Sequence, residues 1–213
     1  MKKSIAAIGV ALLSAFGAVA QDVPKTETFL GYTYTRFNSA TDIPAFSMNG
    51  AGGQFAYNFN GWLSGVADIG AVHNGNIGGF HLDSTFTNFT FGPRVSFHFS
   101  HLRPYLNTLF GGVYATSSSK INAIAVVDGN LAGLPNEPII PGQPITARLT
   151  TSQTAFAMNL GGGLDIKVSK NFSFRPIGLD YYMTRLQNIR SANDNNQNCL
   201  RYTTGFNFTF GAH

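Results

Sequence analysis

The chain has 213 residues and a formal charge of +4, from 14 basic and 10 acidic side chains. Only 11% of its residues are charged, against about 25% in ordinary soluble domains, while 24 Gly, 19 Phe and 8 Tyr suit a sheet whose outer face meets something other than water. No basic run or stripe follows the first residues, which excludes a nucleic-acid partner, and the single Cys199 excludes an internal disulfide.

Residues 1–20 read as a cleaved signal peptide. Lys2 and Lys3 give a basic start, Ile5 to Phe16 an apolar stretch, and Ala18-Val19-Ala20 a small-residue cleavage site before Gln21. Cleavage there leaves residues 21–213 as one domain with a formal charge of +2. No later run approaches the ~20 apolar residues of a membrane helix. An open sheet in lipid would leave its edge amides unpaired, so a membrane reading of this chain has to be a closed barrel.

Period-two alternation then recurs along the chain. The first segment, Glu27 to Phe37, carries it loosely. From Ala51 to Phe59, the set Ala51, Gly53, Phe55, Tyr57 and Phe59 alternates with Gly52, Gln54, Ala56 and Asn58. From Trp62 to His73, Leu63, Gly65, Ala67, Ile69 and Ala71 face lipid and turn Asp68 inward. Phe89, Phe91, Pro93, Val95 and Phe97 oppose Thr90, Gly92, Arg94 and Ser96, and a less regular segment runs from Pro104 to Thr116. In the sixth segment, Phe156, Met158, Leu160, Gly162, Leu164, Ile166 and Val168 oppose an inner set that includes Asp165 and Lys167. In the seventh, Phe172 to Leu186, Arg175 and Asp180 have opposite parity, which predicts a bulge at Pro176. The eighth sets Leu200, Tyr202, Thr204, Phe206, Phe208 and Phe210 against Arg201, Thr203, Gly205, Asn207 and Thr209. The clearest runs have roughly the 9–11 residues of a tilted membrane strand.

The connections alternate in length. Short ones fall at Asn60-Gly61, Phe99 to Arg103 and Ser169 to Asn171. Long ones fall at Asn38 to Asn49, Asn74 to Ser84, Ser117 to Thr150 and Gln187 to Asn198. Short periplasmic turns and long external loops are the habit of outer-membrane barrels. The fold predicted is all-β, an eight-stranded antiparallel up-and-down transmembrane β-barrel in a bacterial outer membrane. In the third long connection, Pro135, Pro138, Pro141 and Pro144 recur every three residues, the polyproline II period. That segment reads as an external arm that contacts a partner, as a variable loop stiffened by proline, or as strands continuing past the membrane around Ile121 to Val127.

On these patterns the chain resembles the OmpA/OmpX-like family of small outer-membrane barrels, in their membrane domain. The resemblance rests on the signal peptide, on segments such as Tyr57-Asn58-Phe59-Asn60-Gly61-Trp62-Leu63 and Leu160-Gly161-Gly162-Gly163-Leu164-Asp165-Ile166, and on the last strand, Arg201 to Phe210. It implies that the aromatic strand with Phe206, Phe208 and Phe210 is read by the barrel-assembly machinery, although Gly211, Ala212 and His213 follow where members end in Phe. Some members carry a soluble peptidoglycan-binding domain after the barrel, which is not expected with three residues after Phe210.

Eight strands enclose a lumen that side chains fill. The alternation places Asp68, Arg94, Asp165, Lys167, Asp180 and Arg201 in it, three acids and three bases that should pair, because lone buried charges are costly. Such a network plugs the barrel; a gate whose pairs exchange to admit ions is the rival reading. Outward Tyr57, Phe59 and Trp62 at one end, with Tyr32, Tyr34, Tyr114 and Tyr181 at the other, read as interfacial aromatics. No catalytic or metal site is assigned: His98 and His101 flank a turn without further ligands, and no serine, histidine and acid can be assembled. No cofactor is expected. The expected role is structural or surface-interacting, with outer-membrane lipids, the assembly machinery and a possible surface partner of the loops as partners. A narrow ion-permeable channel and a lipid-modifying enzyme are the alternatives.

Overall fold

A computed structural model describes residues 24–38, 45–77, 82–124, 144–186 and 196–211. The signal segment 1–20 and the prolines at 135, 138 and 141 lie outside the described residues. Eight strands follow in order: β1 (Thr26–Asn38), β2 (Phe46–Asn58), β3 (Leu63–Asn74), β4 (Leu82–Ser96), β5 (Leu102–Ile124), β6 (Pro144–Lys167), β7 (Phe172–Thr184) and β8 (Gln197–Phe210). Each pairs antiparallel with its chain neighbour, and β8 pairs with β1 from Thr26↔Phe210 to Asn38↔Asn198, so the sheet is a closed barrel. Closure gives every backbone group in the wall a partner without a flanking sheet or helix.

The alternation in sequence becomes the inside and outside of this wall. On β8, Arg201, Thr203, Asn207 and Thr209 are buried, while Leu200, Phe206, Phe208 and Phe210 are exposed. On β4, Asn88, Thr90, Arg94 and Ser96 are buried, and Phe91 is 70% exposed. For a water-soluble protein an outward phenylalanine belt would be an aggregation surface; in a bilayer it is the contact face. Tyr57, Phe59 and Trp62 are exposed near one rim, and Tyr32, Tyr114 and Tyr181 near the other. The hydroxyls of Tyr32 and Tyr181 donate to Asn49 and Asn198 on neighbouring strands, which anchors the polar tips of that upper ring.

The seventh strand carries the expected bulge. Against β6 the register passes from Leu164↔Ile177 to Ile166↔Phe174, and against β8 from Arg175↔Gly205 to Gly178↔Thr203. One extra residue on β7 changes its parity, so Arg175 and Asp180 both face inward, buried at 0% and 3% exposure. Pro176 suits the site because it has no N–H to leave unpaired. The carbonyls of the bulge are satisfied from β8: Thr204 Oγ1 donates to Arg175 O at 3.0 Å, and Tyr202 Oη to Pro176 O at 2.7 Å.

The strands outrun the predicted segments at the long-loop end, most of all β5 and β6. Their ladder continues to Ile124↔Pro144, so much of the predicted 117–150 loop is a hairpin rising beyond its neighbours. This agrees with the reading of strands continued past the membrane as far as residue 124. Pro144 is the first residue of β6 rather than part of a loop, a position at which a missing ladder donor is tolerated.

Candidate functional site: the barrel interior and the external hairpin

The interior is built from the inward half of each strand and has two parts. Toward the short-turn end and the middle it is polar. Arg201 Nη1 and Nη2 donate to Asp68 Oδ1 and Oδ2 at 2.9 and 3.0 Å, and its Nε donates to Asp180 Oδ2 at 3.0 Å. Asn88 Nδ2 and Gln54 Nε2 complete the shell of Asp68 at 2.6 and 2.8 Å. Closer to the short turns, Arg175 Nε donates to Asp165 Oδ1 at 2.7 Å and Arg103 Nη2 to Asp165 Oδ2 at 2.9 Å. Arg103 also grips both carboxylate oxygens of Glu27, which accepts from Asn58 and Asn207 as well.

Gln54 joins the two groups. Its Nε2 serves Asp68, while its Oε1 accepts from Arg94 Nη2 at 2.5 Å and from Arg175 Nη1 at 2.8 Å. A single chain of polar contacts therefore runs from Asp180 to Glu27. Arg94 reaches no carboxylate directly among the described residues. Its guanidinium lies over the Tyr105 ring at 4.4 Å, and its Nε has no hydrogen-bond partner. Arg175 lies over Phe29 at 4.1 Å and Tyr105 at 4.4 Å, so aromatic faces supply part of the solvation that water would give. Room for these groups comes from glycine: a Cβ on Gly163 would stand 2.6 Å from the Tyr105 hydroxyl, and one on Gly161 would collide with the Asp180 carboxylate.

Of the predicted lumen charges, Asp68, Arg94, Asp165, Asp180 and Arg201 are buried in this network. Lys167 is not. It is exposed, at the last position of β6, where inward parity no longer means enclosure because the rim is open to solvent. Glu27, Arg103 and Arg175 occupy the interior instead, giving four acids and four arginines. Glu27 was legible from the outward tyrosines on β1, which share the opposite parity. Arg175 was legible only through the bulge, and Arg103 only through its register with Asp165. Tyr105, whose facing the sequence leaves open, points inward.

Toward the long loops the interior holds an apolar cluster set among short buried polar side chains such as Thr35, Ser84 and Thr184. Phe37, Met48, Val72, Val113, Ala115, Ala157, Tyr182, Leu186 and Cys199 form one buried cluster, with Phe46, Phe86 and Ala155 packed against it. Every strand contributes. On each one the apolar side chain lies nearer the long loops than the charged or amide side chain it follows or precedes: Phe37 beyond Glu27, Val72 beyond Asp68, Tyr182 beyond Asp180, Cys199 beyond Arg201. Phe37 stacks on Phe46 at 5.1 Å and meets Phe86 edge-on at 5.0 Å. Sequence alternation did not reveal this layer, because near the outer rim the pattern inverts: the buried Phe37 and Met48 alternate with the polar Arg36, Asn38, Ser47 and Asn49.

Outside the wall, the β5–β6 hairpin carries an edge that no described strand covers. β7 pairs with β6 only from Ala157, with Arg185 N donating to Phe156 O at 3.0 Å, and no described strand pairs with 144–155 on that side. The hairpin is tied to its neighbours at the other edge. Arg148 Nη2 meets Asp83 Oδ2 at 3.5 Å and Ser118 Oγ at 3.0 Å, and Asp83 Oδ1 meets His73 Nε2 at 3.5 Å. At the opposite end of the barrel, burial and the nearby Arg103 guanidinium hold the His98 imidazole below the ordinary histidine range. Among the described residues no group of three or more His, Cys, Asp or Glu is placed to hold a metal ion.

The comparisons with known proteins fit this geometry. The family model for the outer membrane protein beta-barrel domain matches residues 5–213. Among solved structures, Ail, the attachment invasion locus protein of Yersinia pestis, superposes with a TM-score of 0.55 at 16% identity, over 88% of this chain and 99% of that one. Neisserial surface protein A gives a TM-score of 0.60 at 13% identity, over 87% and 97% of the two chains. At such identities the likeness is one of fold. No curated protein sequence matches the chain.

Proposed function

This chain belongs to the outer membrane protein beta-barrel domain family, and from that premise we propose that it acts through its external surface, as a structural and surface-interacting barrel with a sealed lumen. It resides in the bacterial outer membrane, where the short turns face the periplasm and the long loops face outward. The observation that carries the reading is the apolar layer drawn from all eight strands above the charge network. A hydrated ion entering from outside would have to shed its water against Phe37, Met48 and Val113, and such constrictions exclude ions by dewetting. Below them, the arginine pairs occupy the volume that a pathway would need.

With the interior closed, the working surface is external, and the hairpin is its most developed feature. The edge of β6 that no described strand covers offers a row of backbone donors and acceptors to an extended polypeptide, a mode of recognition in which main-chain bonds give affinity. The narrow-channel alternative draws only on the charged lumen, which pairing neutralises. The aromatic strand with Phe206, Phe208 and Phe210 lies on the lipid face, where a barrel-assembly machinery could read it before β8 closes onto β1.

Deleting residues 119–148 and joining the shortened strands by a tight turn tests the reading. Cells producing either form should show a heat-modifiable barrel band, and only those with the hairpin should attach to a protein-coated surface. Equal attachment would overturn the assignment.

A further inference from the structure

Among the described residues the exposed charges at the periplasmic rim are all basic. Three of the four lysines after residue 20 stand at the periplasmic rim: Lys25 before β1, Lys167 at the end of β6, and Lys170 in the β6–β7 turn. All three are exposed. The short turns 59–62, 97–101 and 168–171 contain no Asp or Glu. The acids nearest that rim among the described residues, Glu27 and Asp165, are buried and held by Arg103.

These lysines are also confined to one side. Lys167 N donates to His101 O at 2.9 Å, Lys170 O accepts from Thr209 Oγ1 at 3.1 Å, and Lys25 packs beside Gly211 at the end of β8. The arc therefore runs from β6 through β7 and β8 to β1, at about 4.8 Å per strand. The opposite turn, Phe59-Asn60-Gly61-Trp62, is aromatic and uncharged. Next to Lys170, on the lipid face, Phe172 lies against Phe206 and Phe208 at 5.4 and 5.5 Å, and Phe174 against Phe206 at 5.5 Å. An aromatic wall thus continues from the lysines toward the apolar band.

We propose that this arc is a seat for anionic phospholipid of the periplasmic leaflet, with the lysine ammonium groups on the headgroup phosphate and the phenylalanine wall against the acyl chains. The chemistry favours a net anionic headgroup over phosphatidylethanolamine. A zwitterionic headgroup brings its own ammonium, and the described rim has no exposed carboxylate to receive it. Each juxtamembrane lysine near an anionic lipid surface strengthens binding by about fivefold.

The test is native mass spectrometry of the full barrel released from micelles containing equimolar phosphatidylglycerol and phosphatidylethanolamine. The wild-type barrel should retain phosphatidylglycerol preferentially. The triple variant Lys25→Gln, Lys167→Gln, Lys170→Gln should lose that preference by at least about tenfold. Replacing the same three by Arg should keep it, as should Arg36→Gln at the outer rim. Heat-modifiability checks that each variant is folded, and raising salt on the wild-type protein should weaken the preference independently of any substitution. Equal retention of the two lipids by the wild-type barrel, or a preference that survives the triple Gln variant, would overturn the proposal.

Discussion

The two halves of the lumen solve the same problem by different means. Both must fill a narrow tube with side chains, yet the periplasmic half does so with eight ionisable groups and the outer half with a layer that includes Phe37, Met48, Val72 and Tyr182. The charged half is demanding, because removing a shared guanidinium such as Arg201 leaves carboxylates stranded in a poor dielectric. The apolar half is forgiving in chemistry and strict in volume, because it works by excluding water. The charged half therefore ties opposite strands together across the lumen, and in the proposed reading the apolar half closes the tube.

The largest expected effect comes from breaking the charged half at its most shared member. Arg201→Leu strands Asp68 and Asp180 together, and should cost about 3–5 kcal/mol in denaturant unfolding of the barrel in lipid vesicles. A cost under about 1 kcal/mol would mean that water reaches those carboxylates. In the apolar half, Met48→Ala removes a fully buried side chain and should cost about 2–3 kcal/mol, the lower part of the usual range for such deletions. If it proves the costlier of the two, the contrast between the halves is reversed. Gly163→Ala tests the join between charge and shape, since its methyl would meet the Ile177 carbonyl of β7 at 2.5 Å and the Tyr105 hydroxyl, whose ring lies beneath Arg94 and Arg175, at 2.6 Å. We expect a loss of about 1–3 kcal/mol from overpacking.

The smallest effect concerns pH. Burial and the Arg103 guanidinium hold the His98 imidazole below its ordinary range in the folded barrel. The unfolded chain therefore binds more protons, and the stability His98 lends is present above the ordinary histidine pKa of about 6.5 and lost as pH falls below it. His98→Gln should flatten the dependence of barrel stability on pH between about 7 and 5. An unchanged slope would assign the pH dependence elsewhere.

Most of the wall was legible in the sequence, because a barrel in lipid leaves one face of each strand no choice. Phe89, Phe91, Phe206 and Phe208 had to point out, so Thr90, Arg94, Arg201 and Asn207 had to point in. The β7 bulge followed from the same constraint, since two charged residues of opposite parity could not both avoid lipid otherwise. What failed, failed at the ends. Lys167 has inward parity but lies where the wall stops enclosing anything, and Arg103 sits in the first residues of β5, which the turn claimed. The apolar layer was hidden for a different reason: alternation was read as polar inside and apolar outside, and near the outer rim it inverts, with buried Phe37 between Arg36 and Asn38 and buried Met48 between Ser47 and Asn49. The hairpin edge required knowing where β7 ends relative to β6, a matter of register rather than composition.

The closed lumen is the claim on which the rest depends, and single-channel recording of the purified barrel in a planar bilayer tests it most directly. The sealed apolar layer predicts no unitary conductance steps above the bilayer background in potassium chloride. Reproducible steps from the wild-type barrel, altered by substitutions at Met48 or Arg201, would contradict it and place a pathway through the interior.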